Sequence, residues 1–327
     1  MRHFLPAAFI LAALPAAAAE KLSVALDWTP NTNHVGLYVA EAKGWFDQAG
    51  LDVDILPYAD TSAGTLVAAG VAQFGIVGTV SFSQQRAAGA DLQLVYAVVQ
   101  KETGWLVFDG RRDDIVSPAD LDGKIYAGFG GAWEGALVGT MIRNAGGKGE
   151  YDSVTLGTSA YEALANGQVD FTLEIYPWEG VQAELEGRPQ GAFAYADYGI
   201  PDQQTTLLAG NESWLAAHPE AAAAFVQAVQ RGYAFANENP AEAADLLIAA
   251  TGGMLSNAEL VHASMEVLVE GEYLHQPGEP IGLVDGALLA ELAAFLFDAG
   301  ALRDASGAAL TEAPDVSGWF SNEYLAR

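Results

Sequence analysis

Residues 26–34 read Leu-Asp-Trp-Thr-Pro-Asn-Thr-Asn-His, and this stretch decides the fold class. An apolar run over residues 22–26 stops at this turn, and a helix-like run over residues 35–49 starts directly after it. The pattern predicts a strand that ends in a polar, aromatic-bearing turn and leads into a helix. Because ligands of open α/β sheets bind beyond the carboxyl ends of the strands, we expect this turn to contact a ligand.

Strand and helix patterns alternate along nearly the whole chain, which indicates an α/β fold with mainly parallel sheets. A second strand–helix set restarts with its own glycine turn, Gly-Phe-Gly-Gly at residues 128–131. We therefore predict a type II periplasmic binding protein-like architecture, with two Rossmann-like lobes, a hinge and a ligand cleft, rather than one large sheet. The predicted first lobe is discontinuous, over residues 20–104 and 203–327, and the second lobe covers residues 105–202.

The first 19 residues have the composition of a secretory signal peptide. Arg2 precedes an apolar run over residues 4–14, and an alanine stretch over residues 16–19 forms a small-residue cleavage site before Glu20. The apolar run is shorter than the roughly 20 residues that a membrane span needs. We therefore expect an exported, periplasmic protein. The chain has no cysteine, which excludes a lipid anchor at the cleavage site, disulfides and thiolate metal sites.

The chain is strongly acidic, with a formal net charge of −28 at pH 7, or −29 without Arg2 of the signal. Such a surface repels nucleic acid and anionic lipid, and it accepts a neutral or cationic ligand more easily than a polyanion. Solubility or salt adaptation is the preferred explanation of the same charge, because net charge reports on solubility before it reports on function. The composition therefore argues against a nucleic-acid partner without identifying a ligand.

The turn and the helix after it, residues 26–40, resemble the opening signature of the thiamine-pyrimidine family. That family includes the periplasmic pyrimidine-precursor-binding component of an ABC importer and the fungal pyrimidine synthase. Further similar stretches cover the mature chain, at residues 42–46, 50–53, 161–170, 198–202 and 321–325. Residues 42–46 and 165–170 are common to a wider group that includes sulfonate and nitrate binders, so the 26–34 turn is the more specific part.

The resemblance implies a monomeric binding protein that delivers a formylaminomethyl- or hydroxymethyl-pyrimidine to a permease with a cytoplasmic ATPase, without a cofactor. Within the binding class, riboflavin, another heterocycle or a sulfonate are alternatives. The enzyme alternative is a pyrimidine synthase. The fungal synthase uses a cysteine-rich iron-binding run where residues 200–207 of this chain have no cysteine. No hydrolase or metalloprotease motif is present either, so we expect a protein that is not an enzyme.

Candidate ligand-binding residues lie at the predicted strand ends. They are Asp27, Trp28, Asn31, His34, Tyr58, Trp105, Gly130, Gly131, Trp133, Glu174, Tyr176 and Trp178. Aromatic rings at a cleft can stack on a planar heterocycle, although each ring taken alone is equally explained by core packing. Asp27 and Asn31 can bond the amine and ring nitrogen of an aminopyrimidine, or else they cap the turn.

Three further assignments have structural alternatives. His34 stands at a helix start and either contacts the ligand or satisfies free helix amides. Gly130 and Gly131 allow the backbone to approach a neutral ring closely, or they form a plain tight turn. Glu174 falls inside an apolar strand, where an unpaired carboxylate is costly, so a buried partner or a ligand amine is expected there. Glu179 is expected to be exposed on the following helix.

Overall fold

Ten strands form two five-stranded sheets in the computed structural model, which describes residues 19–59 and 61–326. The predicted signal peptide therefore lies outside the described residues, apart from Ala19. The strands are β1 (Glu20–Ala25), β2 (Leu51–Leu56), β3 (Phe74–Val77), β4 (Gln93–Val99), β5 (Gly104–Asp109), β6 (Ile125–Gly128), β7 (Asp152–Thr155), β8 (Phe171–Ile175), β9 (Gln190–Ala194) and β10 (Thr205–Gly210).

The two sheets have the same topology. The first has the strand order β2-β1-β3-β10-β4 and the second the order β7-β6-β8-β5-β9. In each sheet the fourth position is taken by the strand that has just crossed over from the other sheet, and this strand is antiparallel to both neighbours. The other four strands of each sheet share one direction. The predicted α/β architecture with two mainly parallel sheets is thus confirmed, with one reversed strand in each.

Helices cover the sheets and fill the C-terminal third of the chain. They are α1 (Val35–Ala42), α2 (Trp45–Gln48), α3 (Ala63–Ala68), α4 (Thr79–Ala87), α5 (Ala132–Asn144), α6 (Ser159–Ala165), α7 (Val181–Leu185), α8 (Glu212–Ala217), α9 (Pro219–Glu238), α10 (Pro240–Ala250), α11 (Ala258–Glu270) and α12 (Gly286–Asp298). Short 3₁₀ turns lie at Thr32–His34, Pro118–Leu121 and Ala196–Tyr198, and a π-helical turn lies at Tyr176–Gly180. No helix in the described part of the chain has the length and apolar character to cross a membrane.

One predicted helix is wrong in its extent. The helix expected over residues 35–49 is divided into α1 and α2, because Gly44 adopts a left-handed conformation with φ of 67°. Such a backbone conformation is open to glycine and ends an α-helix. The interruption turns the chain before it enters β2.

The central strands of each sheet are buried on both faces, as parallel sheets require, whereas the edge strand β7 is exposed. On the first sheet, Val24 and Ile76 pack towards α1 and α9, while Val77 packs on the opposite face with residues of α3 and α12. On the second sheet, Phe171 packs towards α5, and Val107 packs towards α6 on the other face. The helices therefore leave the carboxyl ends of the strands as the open edge of both sheets.

The two crossover segments between the sheets are bonded to each other. The side chain of Asp202 accepts a hydrogen bond from the Glu102 backbone N–H at 3.0 Å, and the Gln203 side chain donates to the Glu102 carboxylate. Gln204 donates to the side chain of Gln100 at 3.0 Å. These bonds join the two crossover segments into a single hinge. The precise lobe boundaries at residues 104–105 and 202–203 stay a prediction.

Helices α1 and α9 cross in close contact directly behind the 26–34 turn. A Cβ atom added to Gly232 would lie 2.0 Å from the carbonyl oxygen of Gly36, and one added to Gly36 would lie 2.3 Å from the Tyr233 ring. The Tyr233 hydroxyl donates to the backbone carbonyl of Asn33 at 2.6 Å. The crossing thus requires two glycines and allows α9 to hold the end of the turn.

We expect Gly232→Ala to lower the stability of the protein, because a methyl group at this position collides with backbone that cannot move aside. The expected loss is about 1–3 kcal/mol of unfolding free energy, the usual cost of overpacking. The measurement is urea unfolding followed by circular dichroism. Gly318→Ala is the matched control, since Gly318 has nothing within 4 Å of its added Cβ. Equal midpoints for the two variants would contradict the close crossing.

Candidate ligand-binding site

A cavity of about 170 Å³ lies between the two sheets, beyond the carboxyl ends of β1, β6 and β8. Its walls come from both sheets and from the second crossover, which contributes Thr206. They consist of Asp27, Trp28, Asn31, Asn33, Phe129, Tyr161, Leu173, Ile175, Trp178, Glu179 and Thr206. The position agrees with the general rule for ligand sites in open α/β sheets.

Aromatic rings from the two sheets meet at this cavity. Trp28 follows β1 and lies 6.1 Å from the ring of Phe129, which follows β6, at an interplanar angle of 64°. Phe129 in turn lies 6.3 Å from the ring of Tyr161 on α6. Behind Trp28, Tyr58 packs against the indole at 5.4 Å. The rings make the cavity suitable for a flat ligand, because aromatic pairs prefer offset or edge contacts at these distances.

His34 holds the turn together and does not line the cavity. Its fully buried ring accepts a hydrogen bond from the Asn31 backbone N–H at Nδ1, with a length of 3.3 Å. Because Nδ1 accepts, the proton of the neutral ring is on Nε2, which lies 2.8 Å from Asp27 Oδ1 and donates to it. The imidazole therefore fixes the orientation of the Asp27 carboxylate. Of the two alternatives given for His34, its contacts agree with the one in which it bonds backbone at the start of the helix.

The remaining polar wall is formed by the turn and by the start of β10. Asn31 accepts from the Asn33 backbone N–H at 2.9 Å and donates to the carbonyl of Thr29 at 3.1 Å. Asn33 donates to the hydroxyl of Thr206 at 3.4 Å. Thr206 has a φ of 56°, which is costly for a β-branched residue. The strain is located where the second crossover reaches the cavity.

Glu174 in β8 and Glu179 just after it differ in their position relative to this cavity, which Glu179 lines and Glu174 does not. Leu173 and Ile175 face the cavity, and because side chains alternate along a strand, Glu174 between them lies on the other face of the sheet. Glu179 lies in the π-helical turn and lines the cavity. The expectation that Glu179 is exposed is wrong, since it is half-buried. Burial raises the pKa of both carboxyl groups to about 7.

The glycine turn before α5 binds its own side chain rather than the cavity. The backbone N–H groups of Phe129 and Gly131 both donate to Glu134, which is buried and also accepts from the Tyr126 hydroxyl at 2.7 Å. Gly130 supplies the positive φ of 85° that the turn needs. Gly130 and Gly131 therefore form a tight turn, and neither is among the residues that line the cavity.

Three predicted aromatic residues lie elsewhere. Trp105 and Tyr176 stack on each other with centroids 4.2 Å apart, beside a separate cavity of about 490 Å³ that Glu174 also lines. Trp133 packs with Leu292 and Val80, so it joins the second sheet's helix α5 to helices of the first sheet. Their strand-end positions alone did not distinguish these packing roles from a place in the cavity.

The charge of the cavity is negative. Asp27 and Glu179 are its ionisable carboxylates, and the residues that form its described walls include no lysine or arginine. Such walls favour a neutral or cationic planar ligand over a sulfonate or phosphate. Within residues 19–59 and 61–326, no group of three or more His, Asp or Glu side chains is placed to hold a metal ion.

Sequence reasoning identified four of the cavity residues and missed seven. The four are Asp27, Trp28, Asn31 and Trp178, and the seven are Asn33, Phe129, Tyr161, Leu173, Ile175, Glu179 and Thr206. Two of the missed residues carried a signal. Phe129 sits inside the glycine turn that drew attention, and Tyr161 opens one of the similar stretches. Thr206 carried no such signal, because the sequence pattern does not indicate its backbone conformation.

The family model described as "NMT1/THI5 like" matches residues 31–243. A formylaminopyrimidine-binding protein of Halalkalibacterium halodurans is 30% identical over 85% of this chain and 85% of its own. A 4-amino-5-hydroxymethyl-2-methylpyrimidine phosphate synthase of Uromyces fabae is 26% identical over 65% of this chain and 66% of its own.

Among solved structures, the periplasmic aliphatic sulphonate-binding protein SsuA of Escherichia coli is similar with a TM-score of 0.65. It is 18% identical, over 85% of this chain and 87% of its own. At that identity the similarity shows the fold alone. The family match covers more than half of the sequence and the bacterial relative is similar along most of its length, so this chain belongs to the NMT1/THI5-like family.

Proposed function

We propose that this protein is the substrate-binding component of an ABC importer and that it captures a thiamine pyrimidine precursor. The observation that carries the proposal is the cavity between the two sheets, with its aromatic rings from both sides and its two carboxylates. The similarity to a formylaminopyrimidine-binding protein supports the same ligand class. The mechanism is closure of the two lobes around the ligand.

A pyrimidine ring fits the chemistry of the walls. Trp28, Phe129 and Tyr161 offer ring faces and edges for a flat heterocycle. Asp27, held in place by His34, presents an acceptor to an exocyclic amine. A carboxylate that meets an amine and a protonated ring nitrogen makes short, strong hydrogen bonds. The hydrogen bonds then determine the specificity, and the aromatic rings determine the shape of the cavity.

The alternatives fit the cavity less well. A sulfonate requires cationic or neutral donors where Asp27 and Glu179 stand. Riboflavin has three fused rings and a sugar chain, whereas the cavity measures about 170 Å³. The synthase alternative is disfavoured because residues 200–207 contain no cysteine where the fungal synthase has its iron-binding run. We propose a monomeric, periplasmic carrier that hands its ligand to a permease and its cytoplasmic ATPase, and the similarity to a formylaminopyrimidine-binding protein supports the carrier role.

A thermal unfolding screen tests the ligand class. We expect hydroxymethyl- or formylaminomethyl-pyrimidine to raise the unfolding midpoint of the mature protein, because a ligand at 100 times its dissociation constant stabilises the folded state by about 2.7 kcal/mol. Riboflavin and taurine are expected to leave the midpoint unchanged. A shift with riboflavin alone would retain the carrier role and replace the ligand, and a shift with taurine alone would refute the charge argument.

A pair of tryptophan variants tests the position of the site. Trp28→Ala is expected to weaken pyrimidine binding by at least about tenfold, or about 1.4 kcal/mol, because it removes the ring that faces Phe129. Trp105→Ala is the matched control, since that indole lines a separate cavity. Isothermal titration calorimetry measures both affinities, and circular dichroism checks the fold. If Trp105→Ala weakens binding as much as Trp28→Ala does, the ligand is not confined to the cavity between the sheets.

A further inference from the structure

A second, larger cavity adjoins the one between the sheets. It measures about 390 Å³ and lies between α6 and α7, over the face of the second sheet that carries Glu174. The side chains of Tyr161 and Glu179 line both cavities and so form the boundary between them. We call the first the ring chamber and the second the arm chamber. A ligand held in the ring chamber has the arm chamber directly beside it.

Glu174 forms the floor of the arm chamber, and half of its carboxylate has no partner. Its Oε2 accepts from the Gln190 side chain at 2.9 Å, whereas its Oε1 is buried without a hydrogen bond. The residue is 1% exposed. Gly180 lies close to the free oxygen, since a Cβ there would lie 2.9 Å from Oε1. A buried carboxylate oxygen without a donor is costly, so a group that donates to it gains binding energy.

The arm chamber as a whole is acidic. Its walls contain the carboxylates of Glu162, Glu174, Glu179 and Glu186 against one cation, Arg188. Arg188 is already bonded to Glu186, with its Nε 2.7 Å from Oε2. The excess of carboxylates leaves a negative field in a partly enclosed space, where charge interactions are stronger than at an open surface. The chamber is therefore built for a cation and not for an anion.

We propose that the ligand is a pyrimidine with a cationic arm, an aminomethyl-type substituent that ends in a primary ammonium, and that Glu174 recognises this arm. The inference rests on the proposed function, since the ring chamber must first hold the pyrimidine. The arm passes Glu179 and Tyr161 at the boundary and points towards the free oxygen of Glu174. A neutral hydroxymethyl arm makes no ion pair there and binds more weakly.

The competing explanation is that Glu174 is simply protonated and structural. Burial raises the pKa of Glu174 to about 7, with Gln190 and Arg188 acting in the opposite direction. At a pH above this value the group is ionised, and a cation beside it is favourable. The other titratable groups around it are Tyr161, Tyr176, Tyr195, Glu179 and Glu184. A purely structural carboxyl gives no difference in affinity between a cationic and a neutral arm.

The experiment is calorimetric titration of the mature protein at about pH 8, with aminomethyl- and hydroxymethyl-pyrimidine as probes. We expect the aminomethyl compound to bind about tenfold more tightly than the hydroxymethyl compound. In Glu174→Gln this preference should disappear while the hydroxymethyl affinity is kept. Glu162→Gln is the matched control, because Glu162 lines the same chamber but is exposed, and it should lower the preference less than Glu174→Gln does.

Each outcome separates the two claims. If neither pyrimidine binds, and formylaminomethyl-pyrimidine does not bind either, the proposed function fails. If both bind with equal affinity, or if the preference survives in Glu174→Gln, the cationic arm is refuted while the proposed function stands. If Glu162→Gln loses the preference equally, the effect comes from the overall charge and not from Glu174. Should Glu174→Gln not fold, Glu174→Leu removes the same charge in an apolar form.

The pH dependence gives an independent readout. An alkyl ammonium stays protonated below about pH 9, and the two probes share the same ring, so a change in their relative affinity between about pH 8 and about pH 6 reports on the protein groups beside the arm. As the pH falls through the raised pKa of Glu174, this carboxylate takes up a proton and the preference for the amine should decline. Glu179 contributes part of the decline in all variants. A decline of the same size in Glu174→Gln would overturn the role of Glu174.

Discussion

The buried ring of His34 is the contact on which the site depends. One nitrogen accepts from the backbone of the turn and the other donates to Asp27, so a single imidazole closes the turn and aims a carboxylate into the cavity. Tyr233 of α9 bonds the same turn from behind. A carboxylate held by this fixed donor loses its freedom to rotate, which reduces the ordering cost of binding.

The exchange of one strand between the sheets gives the cavity its position. Strands β5 and β10 each enter the opposite sheet in an antiparallel direction, so the chain crosses twice at neighbouring points. Those crossings are bonded by Glu102 and Asp202, while the parallel strands direct their carboxyl ends towards the space between the sheets. A hinge on one side and two open edges on the other are what closure around a ligand requires. Thr206, strained at the end of the second crossing, links the hinge to the cavity wall.

The architecture could be predicted well from the sequence, because the spacing of apolar residues and the turn residues between the segments indicate where strands and helices begin and end. The turn after β1 was predicted as a ligand-contacting turn, and three of its residues, Asp27, Trp28 and Asn31, do line the cavity. The predictions were less successful where a side chain's direction depends on geometry that periodicity does not record. Glu174 was placed correctly in a strand, yet which face it occupies depends on how the second sheet is oriented. Glu179 was assigned to an exposed helix because a π-helical turn has no recognisable pattern in one sequence.

In this architecture the fold does not determine which ligand is bound. A sulfonate-binding protein shares the two-sheet fold at 18% identity, so the scaffold does not determine the sign of the ligand's charge. That sign is set by a few side chains at the strand ends, here Asp27 and Glu179. The glycine turn before α5, a place where backbone N–H groups can receive an anion, is instead filled by Glu134. The Glu134 carboxylate occupies the position where those N–H groups would bind an anion, so the second lobe is unsuited to a sulfonate. This is the physical reason why a shared fold leads to a different ligand class.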